Sequence, residues 1–302
     1  MKYLDWPAEN CTRDTQYFTW SQAASNICLD FHGDPTRAPL TVFSDGNHHM
    51  ALRDCLDLFV QQNKDLSGIF YTTTPPGPIV TMLRKKALLM GNLVISVSPD
   101  VFISPPEVLD RLVADELVSA HYPFVQNQGN VLIIKKGNPK NIVSVSDLVR
   151  DDVRLFLSNP DTEKISFTAY YNTLKNLVPN QDPDNSFPDQ KIAKGQVLFG
   201  KCIHHREAPQ AVFDGTADAA MVFYHLGLRY IRIFPDCFEV IPIGGSIENP
   251  QPLPGNVIGR TSMGLVGDGG VWGKKLISFL ASQQSSEIYS YHGLRMESPA
   301  ER

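Results

Sequence analysis

From residue 40 onward the chain alternates short apolar runs with longer amphipathic ones. LTVF at 40–43 reads as a buried strand, and Ala51, Leu52, Cys55, Leu56 and Phe59 then recur at helical spacing. GIFYTTT, rich in β-branched and aromatic residues, predicts the next strand, and PPGP closes it ahead of an apolar helix, IVTMLRKKALLM. LVISV and DVFIS follow as strands. Pro105 and Pro106 then lead into a helix over EVLDRLVADELV, because proline's missing N–H costs nothing in a first helical turn. Strands alternating with helices in this way predict an open α/β sheet.

The second half repeats the pattern. After HYPFVQNQ comes the buried strand NVLIIKK, the turn GNPKN and a short helix, SVSDLVR. DVRLFLSNP is a strand and loop, and TAYYNTLKNL a helix; PNQDPDNSFPDQ, dense in Pro, Asp and Asn, reads as an exposed loop. QAVFDGTADAAMVFYHLGLRY supplies a helix, a turn and a strand, and FEVIPI a last strand. Val271, Trp272, Leu276, Phe279 and Leu280 form one apolar helical face, and SSEIYSYHGLR ends the pattern. Residues up to about Pro39 show weak periodicity and several aromatics, which reads as an N-terminal extension packed on the body.

A length of 302 residues accommodates two compact units. Net charge is −5 with no dense Lys/Arg block, which argues against nucleic acid or an anionic membrane as partner. A small anion stays compatible, since backbone N–H groups can hold one without surplus cationic side chains. Cys11, Cys28, Cys55, Cys202 and Cys237 are scattered and never spaced as CxxC, so neither a disulfide framework nor structural zinc is expected. The start, MKYLDWPAENCTRDTQYF, has neither a basic n-region nor a continuous apolar core; as written the chain reads as cytosolic, and as periplasmic if a leader was removed.

The junction TVFSDGNHHMALRDCLDLFVQQN passes from strand to amphipathic helix with a few small or polar residues between. A helix start of this kind has N–H groups without intrahelical partners and the positive end of the helix dipole, so it can hold an anion or polar head group. Asn47 is well suited to cap that helix. The pairs His48–His49 and His204–His205 could supply a metal site together with Asp45, one ligand from each pair, because adjacent histidines on a helix diverge by about 100°. Motifs for a serine hydrolase elbow, a Walker loop, HExxH and a dinucleotide fingerprint are missing. The glycine cluster Gly267–Gly270 reads as turn geometry before the last helices, and Cys202 near His204 and His205 reads as an unreactive thiol.

In that order, PDVFISPPEVLDRL, NVLIIKKGNPKNIVSVSDL, VRLFLSNPDTEKISFTAYYNTL, AVFDGTADAAMVFYH and KKLISFLASQQSSEIYSYHGLR resemble the molybdate-binding proteins of ABC transporters, which are type II periplasmic binding proteins. The similarity runs from Leu40 to Arg295. The resemblance implies an α/β, two-lobed fold, each lobe a mostly parallel sheet flanked by helices. It places lobe one at 40–125 plus 245–302 and lobe two at 126–244, with 1–39 as the extension. The chain would cross near Phe124 to Asn130 and return near Val240 to Ser246. It further implies a non-catalytic monomer without cofactor or metal. Such a monomer would take a molybdate-, tungstate- or sulfate-like oxyanion, or another small polar solute, in an interlobe cleft that closes by hinge motion. Its partner would be an ABC transporter permease or a regulatory protein.

By the same resemblance, Asn47 falls where the family has its first oxyanion-binding serine, flanked by Gly46 and His48. The second polar contact falls on Thr73 and Thr74 and the following PPG, where Pro75 and Pro76 cannot donate. Lobe-two contacts fall near Lys164 to Ser166 and Phe223 to His225. The expected ligand set is therefore Asn47, His48, Thr73, Thr74, Ser166 and Tyr224, with Arg206 as a guanidinium for a carboxylate or phosphate. Two alternatives stand beside it: a cytosolic ligand sensor of the same fold, and a metal-dependent enzyme using His48/His49 and His204/His205.

Overall fold

The computed structural model describes residues 3–4, 30–90, 93–178, 187–201 and 204–297. Its first half contains strands β1 (Phe31–His32) and β2 (Leu40–Ser44), helix α1 (His49–Gln62), β3 (Ile69–Thr73), α2 (Pro76–Lys85), β4 (Ala87–Met90), β5 (Leu93–Ser96), β6 (Val101–Ser104), α3 (Pro106–Ala114) and β7 (Val118–Gln126). Then come β8 (Asn130–Lys135), a 3-10 turn at Val145–Val149, β9 (Leu155–Leu157), α4 (Lys164–Leu177), α5 (Phe187–Ala193), β10 (Val197–Phe199), α6 (His204–Asp214), β11 (Ala219–Phe223), α7 (Tyr224–Ile233) and β12 (Phe238–Pro242). The chain closes with β13 (Arg260–Val266), α8 (Gly270–Leu280), α9 (Gln283–Tyr291) and β14 (Arg295–Met296).

These elements form two compact units, the chain leaving one at Gln126 and re-entering it at Arg260. One unit is built on a seven-stranded sheet in the order β1-β3-β2-β6-β13-β7-β14, the other on a five-stranded sheet in the order β10-β9-β11-β8-β12. In each, three neighbouring strands run parallel, β3-β2-β6 and β10-β9-β11, and antiparallel strands complete the sheet.

Strand alternation divides the seven-stranded unit's core between two faces. Leu40, Val42, Val101 and Ile103 pack with Leu52, Leu56 and Phe59 of α1 and with Leu276, Leu280 and Tyr289 of α8 and α9. The neighbouring positions Phe43, Phe70 and Phe102 pack on the other face with Ile79 and Leu83 of α2 and Leu109 and Leu112 of α3. Each such side chain contributes roughly 1.5–3 kcal/mol on burial, so the sheet is fixed from both sides. In the five-stranded unit, Val131–Ile134 and Ala219–Val222 are buried without alternation, as expected of strands covered on both faces.

Residues 245–259, assigned by sequence to the other lobe, belong to the five-stranded unit. The Asn256 side chain accepts from the Asn130 N–H at 2.8 Å and donates to the Asn130 carbonyl at 3.0 Å. Thr173 Oγ1 takes the Val257 N–H at 2.9 Å. At the chain crossing, Asn127 Oδ1 accepts from Gly259 N–H at 3.0 Å, just past the paired residues Gln126 and Arg260.

Several elements differ from the sequence reading. The helix expected through Met90 stops at Lys85, where Lys86 turns left-handed at φ 49°; the apolar residues beyond it form the β4–β5 hairpin. Helix α3 ends at Ala114, and Glu116, at φ 57°, turns the chain into the nine-residue strand β7. The strand AAMVF is present, YHLGLRY beyond it forms a further helix that the sequence reading left unassigned, and the far end of the Pro- and Asn-rich loop forms α5. Strands β10, β13 and β14 went unread. Gly269 caps α8 at φ 67°, and a Cβ there would sit 2.4 Å from Leu265 Cδ2, which bears out the turn role of the glycine cluster. The expected extension at 1–39 lies largely outside the described residues, as do Cys11, Cys28 and Cys202; Cys55 and Cys237 are free thiols.

Candidate functional site

In open α/β sheets ligands gather at the carboxyl ends of parallel strands, where helices begin. The seven-stranded unit has three such ends side by side: Ser44 running into α1, Thr73 into α2 and Ser104 into α3. The five-stranded unit has another three, leading to α4, α6 and α7.

At the first edge the polypeptide turns tightly. Asp45 Oδ1 accepts the Asn47 N–H at 2.9 Å, and Gly46 lies against β3 so closely that a Cβ would meet the Thr73 carbonyl oxygen at 2.4 Å. The cap of α1 is His48 rather than Asn47, which stands one residue outside the helix. No side chain caps α1 and no acidic residue occupies its first turn. The two neighbouring helices begin differently: Pro75, Pro76 and Pro78 strip N–H groups from the start of α2, and Pro105 and Pro106 do so at α3. The three edges therefore place a donor-rich helix start between two donor-poor ones.

His48 is buried, and both ring nitrogens are engaged: Nε2 lies 3.1 Å from Ser44 Oγ and Nδ1 lies 2.7 Å from Tyr289 Oη. Because the Ser44 hydroxyl donates to the Asp45 carbonyl at 3.0 Å, Nε2 carries the proton and donates to Ser44, leaving Nδ1 to accept from Tyr289. The chain from α9 through His48 to Ser44 thus fixes the strand-to-helix turn. His49 Nδ1 lies 3.0 Å from the Gly46 carbonyl, and Thr73 Oγ1 lies 3.1 Å from His32 Nε2. Burial, with His49 and Arg53 nearby, lowers His32 to about 3, so that ring is neutral.

Three side chains at this edge end in buried oxygens without a protein partner: Asp45 Oδ2, Thr74 Oγ1 and Ser104 Oγ. Burial raises the Asp45 carboxyl to about 6, against the opposing pull of the Asn47 N–H.

At the second edge the starts of α6 and α7 meet the protein's own acceptors, whereas α4, like α1, has no side-chain cap and no acidic residue in its first turn, and Ser158 Oγ just past β9 is buried without a protein partner. Both Glu163 oxygens lie 3.1 Å from the His204 N–H at the start of α6, and Glu207 Oε2 takes the Lys201 N–H at 2.9 Å. The Tyr224 N–H, first in α7, donates to the Gly129 carbonyl at 2.9 Å, and its hydroxyl donates to the Ile247 carbonyl. Ser166 Oγ donates to the Glu163 carbonyl at 3.1 Å. Arg206 is half-buried on α6 beside the Tyr230 hydroxyl, which in turn donates to the His205 carbonyl at 2.7 Å. His204 is buried, its Nε2–H donating to the Met221 carbonyl at 2.8 Å, and burial pushes it down to about 4.

Asn47, His48, Thr73 and Thr74 therefore share one edge, while Ser166, Arg206 and Tyr224 stand at helix starts of the other unit. Sequence reasoning passed over Ser44, Ser104, Glu163 and Tyr289 and weighed Asp45 as a metal ligand alone; SPP, a hydroxyl followed by two prolines, was the one local signal for Ser104. Of the histidines weighed for a metal, His48 is engaged through both ring nitrogens, His49 Nδ1 lies against the Gly46 carbonyl and His204 Nε2 against the Met221 carbonyl.

A family model described as bacterial extracellular solute-binding protein matches residues 40–295. Among solved structures, the chain is similar to the substrate-binding domain of a putative molybdenum ABC transporter from Clostridium difficile, at TM-score 0.61 and 15% identity, covering 86% of this chain and 99% of that one. It is likewise similar to the periplasmic molybdate-binding protein of Azotobacter vinelandii (TM-score 0.60, 13% identity, 86% and 100% covered). The tungstate-binding protein of Desulfovibrio alaskensis matches at TM-score 0.54 and 12% identity, with 82% and 92% covered. At such identities the likeness is one of fold. No curated protein matches the chain.

Proposed function

Because the chain belongs to the bacterial extracellular solute-binding protein family, we propose that it captures a small oxyanion, of the class named for its molybdate- and tungstate-binding structural relatives. The family and the relatives in hand are binding proteins rather than enzymes. The observation that carries the reading is the start of α1, an uncapped helix N-terminus with no acidic residue in its first turn, set among hydroxyls at the carboxyl edge of a parallel sheet. Amide dipoles there favour negative charge without any Lys or Arg. The protein would then deliver its cargo to an ABC transporter permease outside the cytoplasm. No described helix is long and apolar enough to cross a membrane.

Thermal unfolding against molybdate, tungstate, sulfate, phosphate and small carboxylates tests the reading. A ligand at 100 times its dissociation constant adds about 2.7 kcal/mol. Stabilisation by at least one oxyanion is expected; a flat response to all of them would remove the oxyanion from the proposal.

A further inference from the structure

Among the described strands proline occurs in two, Pro123 in β7 and Pro242 in β12, and both strands have an open flank. β12 ends the five-stranded sheet. β7 lies one strand in from the end of the seven-stranded sheet, yet among the described residues its outer neighbour β14 pairs only with Val125 and Gln126. The stretch from Val118 to Pro123 is left without a strand on that side.

The register shows which flank each proline nitrogen faces, because residues in an antiparallel ladder turn their backbone groups toward and away from the partner alternately. The Val266 N–H donates to the Asp100 carbonyl at 3.0 Å, so Gly264 and Ser262, two and four residues back, also face β6 and turn away from β7. Pro123, opposite Ser262, is correspondingly turned away from β13 and toward the open flank. In the other sheet the Lys136 N–H donates to the Cys237 carbonyl at 2.8 Å, one step beyond the pair of Lys135 and Phe238. Counting along that ladder turns Phe238, Val240 and Pro242 outward. Both strand prolines therefore stand where an N–H would meet an incoming strand, and proline has none to offer.

The β7 flank is the more hazardous of the two. Val118 to Pro123 include no Asp, Glu, Lys or Arg, the side chains that commonly keep an exposed strand from pairing, and Ser119, Ala120 and Tyr122 are exposed. Its protection lies in the backbone. Besides Pro123 there are two register shifts against β13, between Thr261 and Ser262 and between Gly264 and Val266, which break the even spacing that an added strand would have to match.

We propose that Pro123 guards the open flank of β7 against antiparallel pairing with the same strand of a second copy, and that Pro242 does likewise on β12. The inference is independent of which solute the protein binds. Proline is also tolerated on such flanks simply because no donor is needed there. The two accounts differ in what restoring the N–H does. In a two-fold pair of β7 strands the residue is used once by each copy, so replacing Pro123 returns two donors. At about three- to tenfold per hydrogen bond, Pro123→Thr should tighten self-association about ten- to a hundredfold.

The test is sedimentation equilibrium of the full chain over a wide range of concentration, on the wild type, Pro123→Thr, Pro242→Thr and Pro139→Thr, the last a control in an exposed turn. Wild type and Pro139→Thr should keep one average mass, Pro123→Thr should rise most steeply with concentration, and Pro242→Thr, on a shorter strand, should rise less. The new amide at position 123 should exchange with solvent more slowly as concentration increases. A folded Pro123→Thr with no greater mass than wild type would overturn the proposal, and so would an equal rise in Pro139→Thr. Should Pro123→Thr not fold, Pro123→Ala restores the same donor with a smaller side chain and is read in the same way. In the wild type itself, concentration-dependent amide shifts at Ser119 to Tyr122 would show the flank pairing despite Pro123 and would overturn the guard role directly.

Discussion

The starts of α1 and α6, one on each carboxyl edge, are treated in opposite ways. On the five-stranded sheet, both Glu163 carboxylate oxygens take the first N–H of α6, and the Gly129 carbonyl takes that of α7. On the seven-stranded sheet, α1 begins without a side-chain carboxylate, its first N–H reaching only the Gly46 carbonyl at 3.3 Å, beside hydroxyls and a carboxyl that lack partners. Their buried ionisable groups are opposed as well. Asp45 is an acid held toward its protonated form, and His204 a base held toward its neutral form, both by burial. A helix start closed by the protein's own carboxylate serves stability; one left open costs stability and is the better place for a solute.

The largest expected effect breaks the open edge outright. Gly46→Ala would force a Cβ to 2.4 Å from the Thr73 carbonyl, so a loss of about 3 kcal/mol or more in denaturant unfolding is expected, with oxyanion binding abolished. Gly68→Ala, which meets nothing within 4 Å, should stay within about 0.5 kcal/mol.

Next come the two buried titrations, with opposite signs. Asp45 has a folded value near 6, above its unfolded 3.8, so the folded state holds the proton longer; stability is greatest below pH 3.8 and is lost as pH rises to about 6. Asp45→Asn should therefore gain on the order of 2–3 kcal/mol over wild type at pH 8 and almost nothing at pH 3.5. His204 has a folded value near 4, below its unfolded 6.5, so its contribution is present above pH 6.5 and lost as pH falls to about 4. His204→Gln, which can still donate to Met221, should flatten the acid limb by about 2–3 kcal/mol. Urea unfolding at four or five pH values measures both.

Tyr289→Phe keeps the packing of α9 but leaves buried His48 Nδ1 without its donor, and should cost about 1–2 kcal/mol in the same assay. Glu163→Gln is the mildest, within about 1 kcal/mol, because an amide oxygen still accepts from His204 N–H. It sharpens the comparison all the same: oxyanion affinity should change less than about threefold, and a large gain would mean that α6 had been competing for the solute.

Much of this was legible in the chain. The strand-to-helix junction at Thr41–Asn63 and the proline start of α3 were readable from periodicity and turn chemistry, and the family from the resemblance of its ordered segments to known binding proteins. Strand β7 was missed because its outer positions are exposed and Pro123 interrupts it, and β4 because a short apolar run fits a helix or a strand equally well. The site was harder. Asn47 looked like the cap, but the Asp45–Asn47 turn moves that role to His48, and His48 is then engaged by Tyr289, a residue 241 positions away. The buried oxygens of Thr74, Asp45 and Ser104 are brought to one edge by the register of three parallel strands, which no local pattern specifies.

Amide chemical shifts of isotope-labelled protein, followed while an oxyanion that stabilises it is titrated in, test the central claim most directly. Saturable shifts should be largest at Gly46 to Ala51, the turn and first helical residues of α1. Shifts centred instead on Lys201 to Arg206, with the α1 amides unmoved at saturation, would contradict it.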